Sequence, residues 1–256
     1  MKLFLLLLCL SIAIGTNSYA LMLPSLENPA VWNDIFSQPF PQPDFQRERK
    51  QITLRYSEPF PTFFNAKIDG LLSKNNHAIT AGFGGATIDS IYRELEFSGG
   101  YAYSPYDFLL FKLNETANLE WIPEYDSWWE HRITGGVNLF YKFTGNARAV
   151  AGGALAAKIL KKESVQFSGD LTLGLNFPLY SLNLEMPLFE SNNKNVYFLL
   201  SQKISLGYID LCNSFSIPGF ALGFAAVLNI SKIAIAISHY RNANPNGHTG
   251  WVVRGW

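Results

Sequence analysis

Val165-Gln-Phe-Ser-Gly-Asp-Leu-Thr-Leu-Gly-Leu-Asn-Phe177 decides the fold. Val165, Phe167, Leu171, Leu173, Leu175 and Phe177 share one parity with Gly169, and Gln166, Ser168, Asp170, Thr172 and Asn176 share the other. Successive side chains of a strand point to opposite faces, so the stretch is a ribbon with one apolar and one polar face. Its length is about twice that of an ordinary globular strand and about what a tilted strand needs to cross a bilayer.

The same alternation runs outward from it in both directions. Phe64, Ala66, Ile68, Gly70 and Leu72 oppose Asn65, Lys67 and Asp69; Ile91, Leu95, Phe97, Tyr101 and Tyr103 oppose Glu94, Glu96 and Ser98. Leu109 to Trp121 and Ile133 to Phe143 repeat the pattern, and 78–88 and 147–160 are Gly/Ala-rich ribbons. After the opening stretch come 182–188, 196–209, 220–230, 233–237 and 249–256. Turn compositions such as Ser191-Asn-Asn-Lys194 separate them. Counted from Phe64, the sequence predicts about twelve strands joined as hairpins. A soluble sandwich uses strands of about five or six residues, so the length of these ribbons points to an antiparallel transmembrane β-barrel.

Three segments are expected. Residues 1–20 read as a secretory signal peptide: Lys2 precedes the apolar run Leu3–Ile14, and Ser18-Tyr-Ala20 offers a small-x-small cleavage site. Residues 21–62 carry seven prolines, from Pro24 to Pro61, and read as a mostly irregular N-terminal arm with room for one short strand at 52–56. Residues 63–256 form the barrel. Beyond the signal only Cys212 remains, so no intrachain disulfide is expected in the mature chain. Formal net charge is zero with no basic run, which argues against a nucleic-acid partner. Aromatic content is 15% against 16% charged residues, without an apolar run long enough for a membrane helix after the signal. That combination suits a barrel of the bacterial outer membrane.

No phosphate-binding loop, zinc-ligand cluster or nucleophile elbow is present in the sequence, and no cofactor or metal is expected. Of the histidines, His77 and His131 fall at predicted turn edges and read as solvated. His239 stands in a fuller setting, His239-Tyr-Arg-Asn242-Ala243 followed by Pro245-Asn246-Gly247. This resembles the PagL-type lipid A deacylases (the acyloxyacyl hydrolase family), whose near-terminal strand and loop read His-x-Ser-Asn-Ala and Pro-Asn-x-Gly. Gly135 to Gly153 adds a looser likeness to that family's unit of a strand, a basic turn and a Gly-rich strand. The resemblance implies a lipid-facing ester hydrolase: His239 as base, Asn242 as oxyanion donor, and outer-membrane lipid or lipopolysaccharide as partner. The nucleophile position holds Arg241, and the family's acid falls near His248 or Thr249. Arg241 suits a lipid phosphate, onto which a guanidinium forks well. Whether such a relative is active stays open.

The polar parity supports a different role. Lys67, Lys112, Arg132, Lys142 and Lys203 are expected in the lumen beside Asp69, Glu94, Glu96, Glu120, Asp170 and Glu185. Mixed signs predict paired charges rather than an ion-selective ring. Trp121, Tyr125, Trp128, Trp129 and Tyr180 are expected in an interfacial girdle. The readings are therefore a lipid A deacylase relative, a small pore or uptake channel of porin-like or FadL-like kind, and a structural partner in outer-membrane assembly. All require a membrane barrel. The protein is expected to fractionate with outer membranes and to migrate faster on a gel unheated than boiled; detergent-free solubility as a monomer would overturn this reading.

Overall fold

The computed structural model describes residues 48–255 apart from 61–62, 89–90, 124–126, 144–146, 161–164, 191–197, 218–221 and 242–247. The expected signal peptide and residues 21–47 of the expected arm lie outside the described residues, as do Tyr125 and Trp256.

Among the described residues, fourteen antiparallel strands close into one barrel. They are β1 (Arg49–Phe60), β2 (Phe63–Lys74), β3 (His77–Ile88), β4 (Tyr92–Tyr106), β5 (Leu109–Trp121), β6 (Trp128–Lys142) and β7 (Arg148–Leu160). β8 (Gln166–Asn176), β9 (Tyr180–Glu190), β10 (Phe198–Leu206), β11 (Ile209–Ile217), β12 (Leu222–Ile230), β13 (Ile233–Arg241) and β14 (His248–Gly255) complete it. Each strand pairs with its sequence neighbours, and β1 pairs with β14 from Ile52↔Gly255 to Glu58↔Thr249. Among the described strands no edge is left unpaired, which is the condition for strands to cross hydrocarbon.

The strand count corrects the expected twelve in two places. β1 occupies 49–60, inside the segment read as an irregular arm, so the barrel begins at Arg49 rather than at 63. The predicted ribbon 196–209 is the end of one hairpin and the start of the next: β10 stops at Leu206, Gly207 turns with φ +71°, and β11 follows. A glycine takes that left-handed conformation without Cβ strain. Proline does not stop the ladder because it sits where the ladder is irregular. Register shifts fall between Ser57 and Phe60 around Pro59, and between Tyr103 and Tyr106 around Pro105. A third shift, between Gly169 and Asp170, falls where β9 passes Pro187. A bulge residue need not donate to the ladder, so proline costs little there.

The two ends of the barrel differ. Four of the six turns at the end carrying Arg49 and Gly255 have two residues: Asn75–Asn76, Asp107–Phe108, Gly207–Tyr208 and Ser231–Lys232. Asn75 and Asn76 both have positive φ (50° and 66°), the conformation of a hairpin turn whose twist matches its strands. The other end has the longer connections 122–127, 191–197 and 242–247. Short turns beside the chain ends and longer loops opposite are the outer-membrane pattern, periplasm and exterior respectively.

The faces follow the parity read from sequence. Leu173 pairs with Leu184 in an outward row and is 41% exposed, while Thr172 pairs with Gly152 and Glu185 in an inward row. Exposed outward residues include Leu54, Ile68, Leu95, Leu113, Leu155, Leu211 and Ile235. Aromatics band both ends of this surface. Tyr103, Tyr106, Phe108, Tyr141, Phe143 and Tyr208 lie toward the periplasmic turns, and Trp121 and Trp129 toward the outer loops. The expected girdle loses one member: Trp128 stands opposite Glu120 in an inward row, because β6 begins at that residue and fixes its parity. An apolar exterior between aromatic belts on a closed barrel is a transmembrane barrel of the outer-membrane type.

Leu173→Arg should destabilise the barrel by about 2–4 kcal/mol, as a charge facing mid-bilayer lipid does, and Thr172→Arg by less. Urea titration of the refolded protein in lipid vesicles checks this; equal or reversed costs would mean the faces are exchanged.

Candidate functional site in the lumen wall and at the outer rim

The lumen wall is stratified along the barrel axis. At the periplasmic end one arc of the inward wall, on β2–β7, is apolar, while β11 and β12 carry Asp210 and Asn229, whose amide donates to Asp210 Oδ2 at 3.1 Å. Leu71, Ala78, Ala102, Leu110 and Phe140 form one buried cluster with Val150 packed against it. Leu110 is 1% exposed and Phe140 7%, each covered by its neighbours along the wall.

Above the cluster lies a charged tier. The Arg55 guanidinium meets Asp69 Oδ2 at 3.3 Å, and Lys67 Nζ meets Asp69 Oδ1 at 3.4 Å. Lys67 Nζ also donates to Glu96 Oε1, tying β2 to β4 across β3. β3 is bare enough for this because it carries glycine beneath the network. A Cβ on Gly82 would collide with Asp69 Oδ1 and Ser98 Oγ, and one on Gly84 would lie 3.0 Å from Lys67 Cβ. Elsewhere the Asn138 amide, with its oxygen accepting from Lys112 Nζ at 3.2 Å and its nitrogen donating to the Val137 carbonyl at 3.1 Å, lies over Gly152. Asn183 lies over Gly174 in the same way.

Toward the outer loops the wall turns acidic. The Tyr92 hydroxyl donates to Glu94 Oε2 at 2.7 Å, and Glu94 stands opposite Glu120 in register. Lys158 Nζ meets Glu130 Oε2 at 2.8 Å, which fixes β7 to β6. The inward charges read from sequence are thus brought together as pairs at Lys67, Asp69 and Glu96. Sequence reasoning missed Arg55, whose strand was read as arm, and the partners Tyr92, Glu130 and Lys158. Their signal was present: each falls on the polar parity of its ribbon.

His239 lies on the outward face of β13, exposed, in the row Gln202–Asn213–Phe224–His239–Thr249. It is two residues from the outer end of its strand. Arg241 is the last residue of β13 and stands opposite Leu222 in register. Ser238 stands opposite Ala225 and Gly250, in the row of the other parity. Asn242 and Pro245 to Gly247 lie outside the described residues. Among the described residues no group of three or more histidine, cysteine, aspartate or glutamate side chains is placed to hold a metal.

No protein-family model matches the sequence, and no curated protein matches it. Several solved structures are similar to it. The Ralstonia pickettii toluene transporter TbuX is 11% identical with a TM-score of 0.49, over 94% of this chain and 95% of that one. The KdgM porin is 7% identical with a TM-score of 0.48, over 80% of this chain and 98% of that one. Outer membrane phospholipase A from Escherichia coli is 9% identical with a TM-score of 0.42, over 80% and 90%.

The Lys67 network makes a measurable prediction. Lys67→Met leaves Asp69 and Glu96 facing each other without their shared cation. A double-mutant cycle with Glu96→Gln should give a coupling of about 0.5–3 kcal/mol in urea unfolding. Strict additivity would show that lumen water screens the pair away.

Proposed function

We propose that the protein is an outer-membrane uptake channel in which a polar vestibule leads small amphiphilic solutes down to an apolar constriction. The observation that carries this reading is the layering of the inner wall on β2–β7: acidic and paired charges toward the outer loops, and the Leu71–Leu110–Phe140 cluster at the periplasmic end. Fourteen strands give a wider interior than the eight-stranded barrels that side chains simply fill. Many inward positions are also small, among them Gly82, Gly152, Gly174, Ser201 and Ser214. An apolar constriction bars water and ions by dewetting, yet admits a solute with apolar surface of its own. The charge pairs hold the wall in shape without offering a single-sign ring, which fits a solute selected by shape and apolar surface rather than by net charge.

In planar bilayers the unmodified barrel should conduct ions poorly. Leu110→Ala with Phe140→Ala should raise conductance by about tenfold or more, while the barrel keeps its heat-modifiable migration. Equal conductance before and after the change would show that the cluster does not constrict the lumen. High conductance in both would make the protein an open pore.

A second reading has its own observation, the exposed His239 on the outer wall near the exterior loops. It supports a relative of the lipid A deacylases, with outer-membrane lipopolysaccharide as partner and the Arg241 guanidinium chemically suited to a lipid phosphate. Arg241 at the nucleophile position argues for a binding role over hydrolysis, since a histidine without a positioned hydroxyl lacks the acceptor for acyl transfer. Mass spectrometry of lipid A from cells with and without the protein separates the two readings. Deacylated lipid A that disappears with His239→Ala would establish the enzyme, and unchanged lipid A leaves the channel.

A further inference from the structure

The outer wall holds an ionisable pair where the membrane should tolerate none. Glu115 is the central residue of β5, and its pleat points outward with Phe111 and Leu113 below it and Trp121 above. It stands opposite Gly99 and Ile133 in register, both on outward rows. His131 is outward on β6, one step nearer the exterior, and its Nδ1 lies 3.4 Å from Glu115 Oε1. The two side chains are 58% and 42% exposed, to the side that lipid covers. At a rise of about 3.3 Å per residue and a tilt of about 40°, Glu115 is roughly 15 Å from either end of its strand. Among the described residues, the other outward carboxylates stand at the barrel ends.

Acyl chains at that depth carry no hydrogen-bond donor or acceptor, so lipid alone leaves this pair poorly solvated. The surroundings are shaped for something closer than lipid. A Cβ on Gly99 or Gly135 would have no heavy atom within 4 Å, so the wall beside Glu115 is set back and bare. Phe97 and Trp129, with ring centroids 6.4 Å apart, stand above this hollow.

We infer that the outer face of β4–β6 is the contact surface of a two-fold dimer of this barrel, with Glu115 of each copy facing His131 of the other. A partner must present one base and one acid at the spacing of the pair it meets. A second copy related by a two-fold axis does so by construction, because residue i meets j and j meets i. Polar side chains and small residues that permit close approach are the means by which membrane-embedded surfaces associate, since apolar contact alone gains nothing over lipid. The inference concerns the outer wall and holds for either reading of the lumen or rim.

The test is cross-linking in outer membranes. With Cys212→Ser as background, Ile133→Cys should be joined by a short bismaleimide into a species of twice the monomer mass, and Ile235→Cys, across the barrel on β13, should not. Glu115→His alone and His131→Glu alone should each cut the cross-linked fraction about tenfold, the effect expected for a polar contact of this kind in a membrane. Co-expressed with different tags, those two variants should recover the cross-link as the mixed dimer only, because each mismatched copy supplies what the other lacks. Heat-modifiable migration confirms that each variant is folded. No product from Ile133→Cys, equal product from Ile235→Cys, single variants that cross-link as well as the parent, or a product joined to a different protein would each overturn the inference.

Discussion

Closure of the hydrogen-bond ladder is the constraint on which the rest of the structure depends. Hydrocarbon offers no partner to a backbone amide or carbonyl, so every strand must be flanked by another. The pairing of β1 with β14 supplies the last junction, and it recruits a segment of unpromising sequence to do so. Arg49–Phe60 carries charges and Pro59, yet Ile52, Leu54 and Tyr56 fall in the outward rows of both neighbours. The demand for closure outweighs a weak local preference. Pro59 is accommodated because the ladder with β2 is irregular at that point.

Once closed, the barrel converts a period of two into two chemical environments. Outward rows collect leucine, isoleucine and aromatic residues, and inward rows collect glycine, serine and paired charges. The inner wall is not uniform, because glycine on β3, β7 and β8 lets long polar side chains from neighbouring strands lie flat across it. That is how Lys67 spans from β2 to β4, and how Asn138 and Asn183 lie against the wall instead of crossing the lumen. An apolar cluster on β2–β7 at the periplasmic end interrupts this polar surface.

His239 near the exterior loops and the Glu115–His131 pair deeper in the wall are polar groups on an apolar face. At the rim, water and lipid headgroups can solvate such a group. Deeper in the wall, acyl chains offer no hydrogen-bond partner.

Alternation is a local property, and the sequence by itself determined what alternation encodes: an antiparallel membrane barrel, the outward face of Leu173, the inward face of Thr172, and the inward charges Lys67, Asp69 and Glu96. It did not reveal β11, because Asn213 interrupts the apolar parity and the two-residue turn at Gly207–Tyr208 leaves little composition to read. It misassigned Trp128 and read His131 as a solvated turn residue, because both depend on where β6 begins. Only the tertiary structure decided which charges meet, since Arg55, Asp69, Lys67 and Glu96 come from three strands whose relative register no local pattern records. It likewise decided that Glu115 and His131 share an outward face, because that follows from the offset between β5 and β6. Faces are written in the period of one strand; partners are written in the register between strands.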